Sequence, residues 1–124
     1  MHAEPPVFHR DIREPNIIRS FDGDKWFLID WTDASTCPTR AVQDFDRHEH
    51  SPRVFEDNHG HEVDIWGVAR YMEAMANRAT CNIAQTRPIR EMARRWMGDL
   101  STTATRALEE VQVGTYHWGI QVVY

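Results

Sequence analysis

A chain of 124 residues, 41% hydrophobic and 27% charged, holds one globular domain or part of one, with little stability to spare. Its net charge of −5 argues against a nucleic-acid partner, which selects a basic face. The chain carries neither a secretory apolar segment near Met1 nor a run of about 18 apolar residues that could span a bilayer. It therefore reads as soluble and cytoplasmic, with no membrane partner, and Cys37 and Cys81 read as reduced thiols.

The first predicted element is the apolar run Val7-Phe8, which ends a strand just before His9-Arg10-Asp11. Residues 16–30 read as two short antiparallel strands, "NIIRS" and "WFLID", joined through Asp22-Gly23, a strong turn signal. Residues 32–61 are polar, rich in turn formers and without periodicity, as expected of a solvated functional loop. A helix is predicted over 62–79, where Ile65, Val68, Ala69, Met72, Met75 and Ala76 share one face. A second amphipathic helix starts at Pro88 and runs to Leu100, and a third opens at a Ser101 cap. The closing "GTYHWGIQVVY" has strand-forming residues, so 113–124 reads as a tail without an assigned role. The fold class is α+β: a mainly helical body with a short β-hairpin.

The chemistry sits at the front. Phosphoryl transfer needs a carboxylate that accepts the acceptor's hydroxyl proton and oxygen ligands that hold Mg²⁺ on the phosphates. In "HRDIREPN" Asp11 suits the first role, and Arg13 beside it can neutralise the transferred group. Asn16, five residues on, and Asp30, at the end of the second strand, suit the metal and nucleotide role. The hairpin between them returns the chain to where it left.

These stretches resemble the eukaryotic-type protein kinase family. "HRDIREPN" followed by "FLIDWTDAS" is similar to its catalytic loop and metal-binding segment, His-Arg-Asp-x-x-x-x-Asn then Asp-Phe-Gly. "HSPRVFED" resembles the end of its activation segment, "VDIWGVARYM" the following helix with its Asp-x-Trp-x-x-Gly pattern, and "STTATRALEEV" the start of its final helix. The resemblance covers about residues 7–110. It implies ATP and Mg²⁺ as cofactors, Asp11 as catalytic base, and Asn16 and Asp30 as ligands. It also implies that Arg10 contacts the activation segment, that Asp64 supports the loop backbone, and that Trp66 is core. The Asp-Trp-Thr and His-Arg-Asp-Ile forms suggest a divergent, fungal-type member.

The chain departs from that family in places. Thr32 replaces the Gly of Asp-Phe-Gly, and Arg53 stands where a Glu is usual. That Glu's Arg partner, expected before the final helix, is missing as well. No Gly-rich loop or strand Lys precedes His9, and the single Lys, Lys25, lies after it. Residues 1–112 are thus expected to be the C-terminal lobe of a kinase-like domain without its N-terminal lobe, and inactive alone. Its partners would be a protein substrate or the missing lobe. Alternatives are a non-catalytic, pseudokinase-like interaction lobe and a small-molecule phosphotransferase of the aminoglycoside/choline type. The His- and Glu-rich stretches 47–50 and 58–62 fit no zinc spacing and read as solvated loop.

Overall fold

The computed structural model describes the backbone of residues 4–79 and 83–118, with side chains up to Val113. Cys81 and residues 119–124 fall outside the described residues. The architecture is a small α+β body of two two-stranded antiparallel sheets and three helices.

Strand β1 (Val7–Phe8) pairs with β4 (Ser35–Thr36) in the register Val7↔Thr36 and Phe8↔Ser35. Strands β2 (Ile17–Arg19) and β3 (Trp26–Leu28) form the predicted hairpin, with Ile17 opposite Leu28 and Arg19 opposite Trp26. Its turn is longer than a two-residue loop. Gly23 adopts φ +80, and its N–H donates to the Ser20 carbonyl at 2.9 Å. A Cβ there would meet the Arg19 guanidinium at 2.8 Å, so glycine suits the turn twice over.

The helices are α1 (Glu62–Arg78), α2 (Ile83–Gly98) and α3 (Ala104–Trp118). Glu62 and Asp64 in the first turn of α1 and Arg78 in its last complement the helix dipole. The core joins all three helices: Ile65 and Ala69 of α1, Met92, Ala93 and Trp96 of α2, and Ala107 of α3. Trp96 donates its indole N–H to Glu110 of α3 at 2.8 Å, so even its polar edge has a partner.

Four expectations change. Helix α2 begins at Ile83, and Pro88 lies inside it. The upstream turn is held by buried Thr86, whose hydroxyl donates to the Ile83 carbonyl at 3.2 Å, as does Arg90 from the following turn. Ser101 does not cap α3. Thr103 does, accepting the Arg106 N–H on its Oγ1 at 3.2 Å, while Ser101 bonds Asp99. Residues 113–118 continue α3, so the tail read as strand-forming is helical as far as it is described. Val68 is exposed and Trp66 only half-buried; Trp96 is the tryptophan of the core. No helix among the described residues is long and apolar enough to cross a membrane.

Candidate functional site

The segment from His9 to Asn16 leaves β1 and is gripped from below by α1. Asp64 accepts the His9 N–H on Oδ2 at 2.8 Å and the Arg10 N–H on Oδ1 at 2.7 Å, the supporting role the sequence implied for it. Burial pushes the Asp64 carboxyl above its ordinary 3.8, against the pull of those two donors. Arg10 between them sits at φ 69, a left-handed conformation that costs a bulky residue about 1–3 kcal/mol and persists only when its surroundings enforce it. One turn along α1, Gly67 lets the loop come closer. A Cβ at that position would lie 2.6 Å from the Ile12 carbonyl oxygen.

Asp11 is held at the centre of this loop, 4% exposed. Its Oδ1 accepts from Arg13 Nε at 2.7 Å and from His50 Nε2 at 2.7 Å. Its Oδ2 accepts from Asn16 Nδ2 at 2.8 Å, and the same amide donates to the Asp11 carbonyl at 2.9 Å. Burial works to raise the Asp11 carboxyl, but the bonds from His50, Arg13 and Asn16 outweigh it and hold the group below its ordinary 3.8. Asp11 is therefore a carboxylate at neutral pH, as a proton acceptor must be.

The hairpin brings the end of β3 back to this loop. Ile29 donates its N–H to the Asn16 carbonyl at 2.9 Å, and its own carbonyl accepts from His9 Nε2 at 2.9 Å. The His9 ring also accepts the Asp11 N–H on Nδ1 at 3.2 Å and meets Trp31 edge-on, with centroids 4.7 Å apart. Asp30 follows directly, exposed and at φ 60. Its Oδ1 accepts from the Thr32 hydroxyl at 2.7 Å. The four sequence-predicted residues are thus assembled unequally. Asp11, Arg13 and Asn16 are bonded directly, whereas Asp30 is joined to them through Ile29 and has no side-chain bond to any of the three.

As ligands, Asn16 and Asp30 suit a hard cation. Because Asn16 spends its amide nitrogen on Asp11, its Oδ1 has no bonded partner among the described residues, and the Asp30 carboxylate keeps Oδ2 open as well. Arg13 is more committed than its proposed role requires, with Nε on Asp11 and Nη1 on Glu49 at 3.2 Å. Among the described residues no three His, Cys, Asp or Glu side chains come together as a metal centre.

Residues 32–61 are mostly exposed or half-buried, as their polarity led one to expect, but a few of their polar side chains turn inward. Thr39, His50, Ser51 and His59 are buried, and a 3-10 turn forms at Pro52–Phe55. Arg10 reaches this segment through the Asp33 carbonyl at 2.5 Å and the Arg40 carbonyl at 3.2 Å, as the resemblance implied. Arg53, in the place of a Glu, pairs with Glu56. His50 is the residue that sequence reasoning missed. It lies in a His- and Glu-rich stretch weighed only for metal binding, and its partner Asp11 is 39 residues away.

No family model matches the chain, and no solved structure matches it. Compared over 64 aligned positions, which cover 48% of this chain and 11% of the other protein, the chain is 38% identical to Crinkler effector protein 8 of Phytophthora infestans. The chain thus corresponds to only a small share of that relative's length.

Proposed function

We propose that this chain carries the catalytic-loop half of a protein-kinase-like site, the C-terminal lobe of that fold, which transfers phosphate from ATP to Ser/Thr hydroxyls. The observation that carries the reading is the arrangement around Asn16. Its amide donates to both the carbonyl and the carboxylate of Asp11, so one side chain fixes the base and keeps its own Oδ1 without a bonded partner among the described residues. The left-handed backbone at Arg10 supports the same reading, since strain held beside candidate groups is characteristic of functional sites.

In this reading Asp11 takes the hydroxyl proton as the acceptor oxygen bonds to the phosphorus, and the electron pair of the broken phosphorus–oxygen bond leaves on the diphosphate. Asn16 Oδ1 and the Asp30 carboxylate would hold Mg²⁺, which neutralises phosphate charge when bound. Arg13, whose Nη2 has no bonded partner among the described residues, would neutralise the same charge. Arg10 ties the loop to the 32–61 segment, an arrangement suited to a protein acceptor docked along that segment.

The test is radiolabel transfer from Mg-ATP to a serine- and threonine-containing acceptor, by this chain alone and by this chain supplied with a kinase N-terminal lobe. We expect none from the chain alone. With the added lobe we expect transfer that Asp11→Asn lowers about 10²–10⁴-fold, the usual contribution of a positioned proton acceptor. Transfer undiminished by Asp11→Asn contradicts the assignment.

A further inference from the structure

His50 lies outside every role considered so far, yet it makes one of the shortest contacts to the candidate base. Its ring is buried, 6% exposed, and stacks on Phe45 with centroids 4.1 Å apart and planes 16° from parallel. Nδ1 lies 2.9 Å from the Asp46 carbonyl oxygen and Nε2 lies 2.7 Å from Asp11 Oδ1, and the tautomer that serves Asp11 carries its hydrogen on Nε2. The ring is thus held on its face by Phe45 where it meets the carboxylate.

A carboxylate offers about four acceptor positions. On Asp11, Arg13 and His50 fill the two on Oδ1, and Asn16 fills one on Oδ2. The position left open is on Oδ2. Glu49, the neighbour of His50, bonds Arg13 Nη1, so two adjacent residues of one turn brace the same oxygen, directly and through Arg13. That turn is closed by the Glu49 N–H on the Asp46 carbonyl at 3.2 Å and the His48 N–H on Asp46 Oδ1 at 2.7 Å.

We propose that His50 is a positioning residue for Asp11. Together with Arg13 it anchors Oδ1, and so leaves Oδ2 as the atom that takes the acceptor's proton. The hydroxyl hydrogen moves to Oδ2 while the O–H electron pair stays with the acceptor oxygen, which bonds to phosphorus as the phosphorus–oxygen bond to the leaving diphosphate breaks and its electron pair goes with that diphosphate. The assignment of Oδ2 rests on reading Asp11 as the base. The anchoring of Oδ1 does not.

The test uses the 124-residue chain and nuclear magnetic resonance, with no nucleotide present. In the wild type the hydrogen on His50 Nε2 is expected to be visible and protected from solvent exchange, and Asp11→Asn should shift it. Its absence in the wild type overturns the proposal without any variant. In His50→Ala, exchange of the Arg13 Nε–H should accelerate about tenfold, the effect of losing one charge-assisted hydrogen bond from a shared carboxylate. Amide protection over Ile65–Ala69 should hold, showing that α1 is still folded. His50→Gln, which places an N–H near the position of Nε2, should restore the slow exchange. Unchanged Arg13 exchange in a folded His50→Ala overturns the anchoring. Because no step requires phosphoryl transfer, failure of the kinase-like reading and failure of the anchoring give different results.

Discussion

Asp64 and Asp11 are both carboxylates facing the same loop, but they act differently. Asp64 satisfies two backbone N–H groups that the left-handed turn at Arg10 leaves without strand or helix partners. Replacing it by Ala removes both acceptors at once. The expected loss is about 2–4 kcal/mol in a denaturant titration, given roughly 1–2 kcal/mol for each donor stranded away from water. Asp64→Asn keeps one acceptor oxygen and should lose about half of that. Equal stability of the two variants would show that the loop does not depend on this clamp. Gly67 makes a second residue-scale prediction. Its methyl would sit 2.6 Å from a backbone oxygen, which cannot swing aside as a side-chain tip can. Gly67→Ala should therefore destabilise by about 1–3 kcal/mol despite alanine's better helix propensity, and should displace the Ile12 and Asp11 amide resonances. A stabilised Gly67→Ala would refute the close approach of α1 to the loop.

Among elements, the helix pair α2–α3 is held by Trp96 and by Glu110, which accepts from Trp96 Nε1 and from Arg95. The Trp96 hydrogen bond, aided by Arg95 and opposed by burial, lowers the Glu110 carboxyl below its ordinary 4.5. A depressed carboxyl contributes stability that is present above its unfolded value and lost as pH falls through its folded one. The wild type should therefore weaken as pH drops through and below about 4.5, and Glu110→Gln should weaken less over that range. Melting curves between pH 3 and 7 check this; parallel curves for the two proteins would contradict it. The elements themselves were largely legible in the sequence. The period of Ile65, Ala69, Met72 and Ala76 specifies α1, and Asp22-Gly23 between two apolar runs specifies the hairpin. The start of α2 was not legible, because Pro88 imitates a first-turn signal while the packing of Thr86 extends the helix upstream. Nor was the burial of residues 39, 50, 51 and 59. Their partners lie on distant segments, and polarity alone cannot separate a satisfied buried group from a solvated one.

For the molecule as a whole, the same hairpin that closes the site also exposes apolar surface. Ile18 and Phe27 are cross-strand neighbours and both exposed, as is Trp26. Trp26 borders a cleft of about 760 Å³ between α1 and α2, lined by Tyr71, Met72, Met75, Pro88 and Ile89. An apolar surface of this kind drives association. The 124-residue chain should show a concentration-dependent sedimentation coefficient, and Trp26→Ser with Phe27→Ser should bring it towards a single monomeric value. A wild type that sediments as a monomer at all concentrations would count against this. The candidate site is legible at this scale only in part. Spacing within "HRDIREPN" brings Asp11, Arg13 and Asn16 together locally, but the hairpin decides whether Asp30 joins them, and segment 32–61 supplies His50 from a distance.

Mn²⁺, a paramagnetic stand-in for Mg²⁺, added in the presence of ADP would reveal whether Asn16 and Asp30 face one cation beside Asp11. Relaxation broadening is expected to centre on the Asn16 side-chain amide and the backbone amides of residues 30–32, and Asp30→Asn should remove most of it. Broadening centred on Asp22 and Asp24 of the hairpin turn, or on His48 and His61, and unaffected by Asp30→Asn, would contradict that arrangement.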